Sequence, residues 1–137
     1  MKAVRSFLAV ALVTAGFGIG IAVDRAALAQ QPGIKRTILL RADDPADEKY
    51  EAVMGIAEIP PGGSSGKHRH PGIEIAYVLE GSIVAERAGK PTVTIKAGES
   101  IDNGGLVHNA TNSGTTPAKI LAIYLVEKGK PIAESVP

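Results

Sequence analysis

Gly62-Gly63-Ser64-Ser65-Gly66-Lys67-His68-Arg69-His70-Pro71-Gly72-Ile73-Glu74, closed by a turn glycine at Gly81, holds two of the chain's three histidines. The third is His108. The stretch opens on a glycine- and serine-rich breaker, which must be loop. It then passes into alternating residues. On an extended segment residues i and i+2 share a face, so His68 and His70 point the same way and Arg69 points away. Glu74 has the same parity and reaches that face once Pro71-Gly72 bends the chain. His108, at the start of a later strand, is expected to face them from across a barrel. Three imidazoles and a carboxylate form a ligand set for one divalent metal ion with coordination positions left open.

The remaining sequence reads as strand, turn, strand, with no amphipathic helix. Strands are expected at Ile34–Arg41, Tyr50–Ile59, Ile73–Leu79, Ile83–Arg87, Thr92–Lys96, Val107–Thr111 and Lys119–Val126. Polar or Gly/Pro-rich turns separate them, including Asp43–Asp47, Ala88–Pro91 and Asn103–Gly105. Short strands at this spacing predict an all-β sandwich or barrel. In Ile73–Leu79 both parities are apolar apart from Glu74. That pattern fits a strand covered on both faces, one inside the barrel and one against another sheet or subunit. Gly62, Gly81, Gly98 and Gly105 read as turn formers with positive φ. Asn112 reads as a strand-end hydrogen bonder, Tyr77 as packing, and Tyr124 as lining or filling the barrel.

These residues resemble the cupin superfamily. Its first motif is G-x5-H-x-H-x3–4-E-x6-G, which Gly62, His68, His70, Glu74 and Gly81 fit at every position. Its second, G-x5-P-x-G-x2-H-x3-N, is matched by Gly98, Gly105, His108 and Asn112. Asn103 stands in place of the proline, and the first gap is one residue short. The sixteen residues from Ser82 to Ala97 are similar to the short inter-motif spacing of compact microbial cupins, and the chain resembles small single-domain, quercetin-dioxygenase-like members. The resemblance implies a double-stranded β-helix, or jelly-roll barrel. It also implies metal ligation by His68, His70, Glu74 and His108, the ion being iron, manganese, nickel, copper or zinc. Fold alone does not choose an activity. The resemblance leaves open a metal-dependent dioxygenase acting on a small organic substrate, a non-catalytic ligand- or metal-binding module, a cupin isomerase, and a metal-stabilised dimer. No general base stands out beside the ligands.

Composition narrows the field further. With no cysteine, any metal is held by nitrogen and oxygen, which excludes thiolate zinc sites and iron–sulfur clusters. The N-terminus reads as a signal peptide over residues 1–29. Lys2 and Arg5 precede an uncharged run from Phe7 to Val23, and Ala27-Leu28-Ala29 supplies a cleavage site. Cleavage leaves residues 30–137 as one cupin-like domain, exported to the periplasm or beyond and free of the membrane. An uncleaved membrane anchor is the alternative. Without Lys2, Arg5, Arg25 and Asp24, twelve bases face thirteen acids, a net charge of about −1. That balance offers no footprint for nucleic acid, and the mature part's aromatics, Tyr50, Tyr77 and Tyr124, are too few for a base-stacking platform. The expected partners are a small-molecule ligand or substrate and, through exposed strands, a second copy of the chain.

Overall fold

The computed structural model describes residues 33–137, so the signal-peptide reading lies outside the described residues. Among the described residues ten strands follow one another: β1 Lys35–Asp43, β2 Tyr50–Ile59, β3 His68–Arg69, β4 Gly72–Glu80, β5 Ser82–Arg87, β6 Val93–Lys96, β7 Ser100–Gly104, β8 His108–Thr111, β9 Ala118–Glu127 and β10 Glu134–Ser135. They form two five-stranded sheets, in the orders β1-β2-β9-β4-β7 and β10-β3-β8-β5-β6. Every pairing is antiparallel. This is the jelly roll expected of the sequence.

Two-residue alternation places the core between the sheets. On β4, Glu74, Ala76 and Val78 are buried while Ile73, Ile75, Tyr77 and Leu79 are exposed. On β9, Ala118, Ile120, Ala122, Tyr124 and Val126 are buried. The interior divides into two apolar clusters. One gathers around Ile34, Ile59, Val78, Ile83 and Ile120. The other comprises Val53, Ala122, Tyr124, Val126 and Ile132.

The structure departs from the sequence reading at four points. The strands β3, β7 and β10 were not expected; two of them are only two residues long, too short to leave a pattern. Asn103 belongs to β7 and not to a turn. Gly105 does not have positive φ; the left-handed residue there is Gly104, at φ +52°, whereas Gly62, Gly81 and Gly98 are left-handed as expected. Tyr77 does not pack within the chain: it is 43% exposed on the outer face of β4, which no sheet of the described residues covers and which the sequence reading also left to a second subunit. Its apolar neighbours continue across the register onto β9, where Ile75 pairs with Ile123 and Ile73 with Leu125.

Two residues lock the chain where the motif turns. A Cβ on Gly72 would lie 2.0 Å from the carbonyl oxygen of Leu125, so only glycine lets β4 start against β9 between His70 and Glu74. Asn112 is fully buried. Its Nδ2 donates to the carbonyls of Ile59 (2.9 Å) and Thr116 (2.8 Å), and its Oδ1 accepts from the Gly114 amide (2.9 Å). The residue thus fastens the end of β8 to the end of β2, a hydrogen-bonding role as the sequence indicates. Asn112→Ala leaves a buried carbonyl without its donor. It is expected to lower the unfolding free energy by about 1–3 kcal/mol, read as a lower denaturant midpoint at unchanged slope. An unchanged midpoint would mean that the fastener contributes nothing.

Candidate metal centre

The four motif residues meet inside the barrel. His68 (3% exposed), His70 (3%), His108 (5%) and Glu74 (7%) are all buried. One ligand atom from each histidine lies within 4.8 Å of the others. Ring centroids are 4.2 Å apart for His68 and His108, 4.9 Å for His68 and His70, and 5.2 Å for His70 and His108. Their placement differs from expectation in one respect. His108 does not face His68 across the barrel; the two are register partners on neighbouring strands of the same sheet. The group that comes from the opposite sheet is Glu74, on β4. Arg69 points outward and pairs with Glu134 at the surface, 3.0 Å away.

The tautomers follow from what each ring touches. His68 Nδ1 lies 2.9 Å from the Gly66 carbonyl, His108 Nδ1 2.9 Å from that of Leu106, and His70 Nδ1 against that of Ile132. A carbonyl only accepts, so each Nδ1 carries the hydrogen and donates it. Each neutral ring therefore presents an Nε2 lone pair. Pinning one ring nitrogen to a carbonyl is how metal-ligating histidines are oriented.

Two of these lone pairs face Glu74 at close quarters. Its Oε2 is 3.0 Å from His108 Nε2 and 3.2 Å from His70 Nε2. His70 Nε2 is buried and makes no hydrogen bond, despite that short distance to the carboxylate. Two acceptors facing each other repel unless a cation lies between them. A divalent ion satisfies His70, His108, His68 and Glu74 at once, so the residues fit a metal. Protons are the alternative cation. Burial opposes charging His108, but the hydrogen bond and charge of Glu74 overcome it and raise its pKa above 6.5. Burial chiefly lowers that of His68 to about 4, with the neighbouring histidines adding to it. For Glu74 burial works against the carboxylate, yet His108 and His70 hold its pKa well below the ordinary value.

Two site residues were missed in the sequence. Asn103 Nδ2 donates to Glu74 Oε2 at 2.8 Å. Consecutive residues Glu74 and Ile75 pair with Gly104 and Asp102, so Asn103 is the extra residue of a β-bulge. Bulges re-aim side chains beside functional sites, and here the bulge turns the residue that replaces the motif proline onto the carboxylate. The second is Arg36, on β1. It lies on the inward parity between Ile34 and Ile38, a sign that alternation could have revealed. Tyr124 completes the wall, its ring centroid 4.9 Å from that of His70. Burial first, and then the charge of Glu74, push the Tyr124 phenol well above its ordinary pKa, so it keeps its proton.

The cavity that these groups share has a volume of about 40 Å³. Its lining includes Arg36, Ser65, His68, Glu74, Asn103 and Tyr124, with apolar residues of both core clusters. At roughly 10–15 Å³ per enclosed water, it holds about three waters or a molecule of a few heavy atoms. A larger depression of about 350 Å³ around Lys67, Glu86, Arg87 and Lys90 also touches His108. It contains no other residue of the cluster, so the smaller cavity is the site.

A jelly roll with three inward imidazoles and a carboxylate defines the class of β-barrel proteins with a buried metal-type centre. The chain belongs to the cupin domain family, which residues 55–124 match. Over 71 residues it is 39% identical to the oxalate-binding protein of Thermotoga maritima, covering 50% of this chain and 58% of that protein. The chain therefore spans under two thirds of that curated relative. A Thermotoga maritima structure described as a predicted oxalate decarboxylase superposes with a TM-score of 0.56 at 32% identity, covering 69% of this chain and 80% of that one. An oxalate oxidase bound to the substrate analogue glycolate gives a TM-score of 0.61 at 26% identity, covering 78% and 57%.

Protons compete with metal for the same nitrogens. Metal affinity is expected to fall as pH drops through the raised pKa of His108, by about tenfold or more per pH unit. The fall should steepen near pH 4, where His68 also takes a proton. Glu74→Gln removes what raises the His108 pKa. It should weaken binding and shift the onset of the fall to lower pH. An onset that stays in place in a titration of metal affinity against pH would contradict this origin.

Proposed function

We propose that this protein holds one divalent metal ion on His68, His70, Glu74 and His108 and binds a small carboxylate at it. The observation that carries this reading is the set of three Nδ1–carbonyl contacts, which aim three lone pairs and one carboxylate at a common point. The ligand class draws support from the relatives, whose names refer to oxalate and glycolate, and from a cavity of about 40 Å³. A cavity of this size suits a ligand of a few atoms and is far below the ~300–1,000 Å³ of sites for drug-sized molecules. That argues against a flavonoid-sized substrate.

When bound, the ion would supply Lewis acidity and, for a redox-active metal, electron transfer. The chain's own residues do the rest. Asn103 fixes the rotamer of Glu74 by donating to Oε2, and the apolar wall limits water. Tyr124 remains a neutral phenol beside Glu74 and is the proton-holding group that the sequence alone did not reveal.

Metal-loaded protein is expected to bind oxalate or glycolate in calorimetry, and His70→Ala to lose both ion and ligand while staying folded. A His70→Ala protein with full metal content would overturn the ligand assignment. Oxygen uptake with a small carboxylate substrate separates the enzyme from the binding module: uptake that needs the metal supports the first, and binding without uptake supports the second.

The exposed apolar face of β4 and β9 is proposed to pair two copies of the chain. Ile73, Ile75, Tyr77, Leu79, Ile123 and Leu125 form one continuous patch there, of the kind that marks association surfaces. Sedimentation should show a dimer that Ile75→Lys converts to monomer. A monomeric wild-type protein at high concentration would refute the pairing.

A further inference from the structure

The least explained group in the interior is Arg36. It sits on β1 at the inward parity, between Ile34 and Ile38. Its guanidinium belongs to the cavity wall with His68, Glu74, Asn103, His108 and Tyr124. Its charge reaches His68 and His108, and it both faces and hydrogen-bonds the Tyr124 side chain. Yet Nη1 is buried with no hydrogen-bond partner. None of the chain's ion pairs among the described residues involves Arg36. A buried guanidinium nitrogen without an acceptor is costly, and a neutral side chain of similar size would pack better. The planar fork of an arginine matches a carboxylate.

We propose that Arg36 is the specificity-determining residue of the cavity: its guanidinium takes one carboxylate of a small dianion whose other end lies at the histidine cluster. This rests on the carboxylate-binding reading above and adds charge selection to it. A divalent ion, the Glu74 carboxylate and the Arg36 guanidinium leave two positive charges facing the cavity. A two-carbon dicarboxylate neutralises both, and a monoanion of the same length leaves one uncompensated. The cavity volume of about 40 Å³ admits that length and little more.

The test is calorimetric titration of manganese-loaded protein with oxalate and with glycolate, for wild type, Arg36→Gln and Arg36→Lys. Metal content is followed by elemental analysis and stability by thermal melting. Wild type is expected to prefer oxalate to glycolate. Arg36→Gln should lose about 10–100-fold in oxalate affinity, the range for a charge-assisted hydrogen bond, with metal content unchanged. Its melting temperature without ligand should fall little, since Nη1 has no native partner and glutamine keeps a donor for Tyr124, whereas a structural role would lower it markedly. Arg36→Lys should recover part of the affinity and supplies the answer if the glutamine variant does not fold. Oxalate affinity unchanged in a metal-loaded Arg36 variant would overturn this role alone, as would equal wild-type affinity for oxalate and glycolate. Metal-loaded wild type that binds neither anion would overturn the carboxylate reading and the role of Arg36 with it.

Discussion

The site depends on three hydrogen bonds from imidazole Nδ1 to backbone carbonyls. Each carbonyl belongs to a different part of the chain: Gly66 in the loop before β3, Leu106 before β8, and Ile132 before β10. The tautomer of each ring is therefore set by the fold and not by the ring's own preference. If a ring turned so that Nδ1 faced the cluster, a buried carbonyl would lose its donor, at a cost of about 1–3 kcal/mol. The lone pairs converge because the backbone would otherwise be left unsatisfied. His70 shows the reach of this constraint, since its partner carbonyl is 62 residues away in sequence and arrives only when the C-terminal segment packs. Ile132, which carries that carbonyl, is itself 2% exposed within the second apolar cluster.

The same logic explains why Glu74 and Asn103 act together. Glu74 stands on β4, inside its sheet between β9 and β7, where burial removes most of the water that would solvate a carboxylate. Its Oε2 meets two imidazole nitrogens and an amide. The amide donor is fixed whatever occupies the cluster, while the imidazoles change with protonation or metal. Asn103 therefore holds the carboxylate's position through those changes. A proline at that position could not make this bond, having no side-chain donor.

Much of the fold was legible because buried strands alternate cleanly. Tyr50–Ile59 was read to its observed limits, and the strands around β4 and β9 to within a residue or two. The ligand residues were legible because His68 and His70 share a parity and no other histidine competes. What was not legible had physical causes. The very short β3 and β10 carry no periodicity. Asn103-Gly104-Gly105 has turn composition, but a bulge reuses such residues inside a strand. The partner of His68 was misplaced because parity tells which face a side chain takes and not which neighbouring strand brings another to it. The outward apolar side chains of β4 mark a face suited to cover, but sequence does not say whether a sheet or a second subunit supplies it; among the described residues no sheet does.

Arg36 illustrates how a charge is tolerated near such a centre. It lies on β1, the edge strand of its sheet. Residues on an edge keep part of their side chain near water, and Arg36 is only partly buried although its Nη1 is enclosed. An arginine can lay its aliphatic stem along apolar surface while the head stays near the rim. On the central strand β9 the corresponding polar residue is Tyr124, 3% exposed and kept neutral by its raised pKa. The permanent cation thus stands at the margin of the barrel, the neutral phenol at its middle, and the central anion, Glu74, keeps the fixed donor Asn103 beside the imidazole cluster. That gradient sets the one permanent positive charge of the cavity wall on the edge strand and the neutral phenol on the central one.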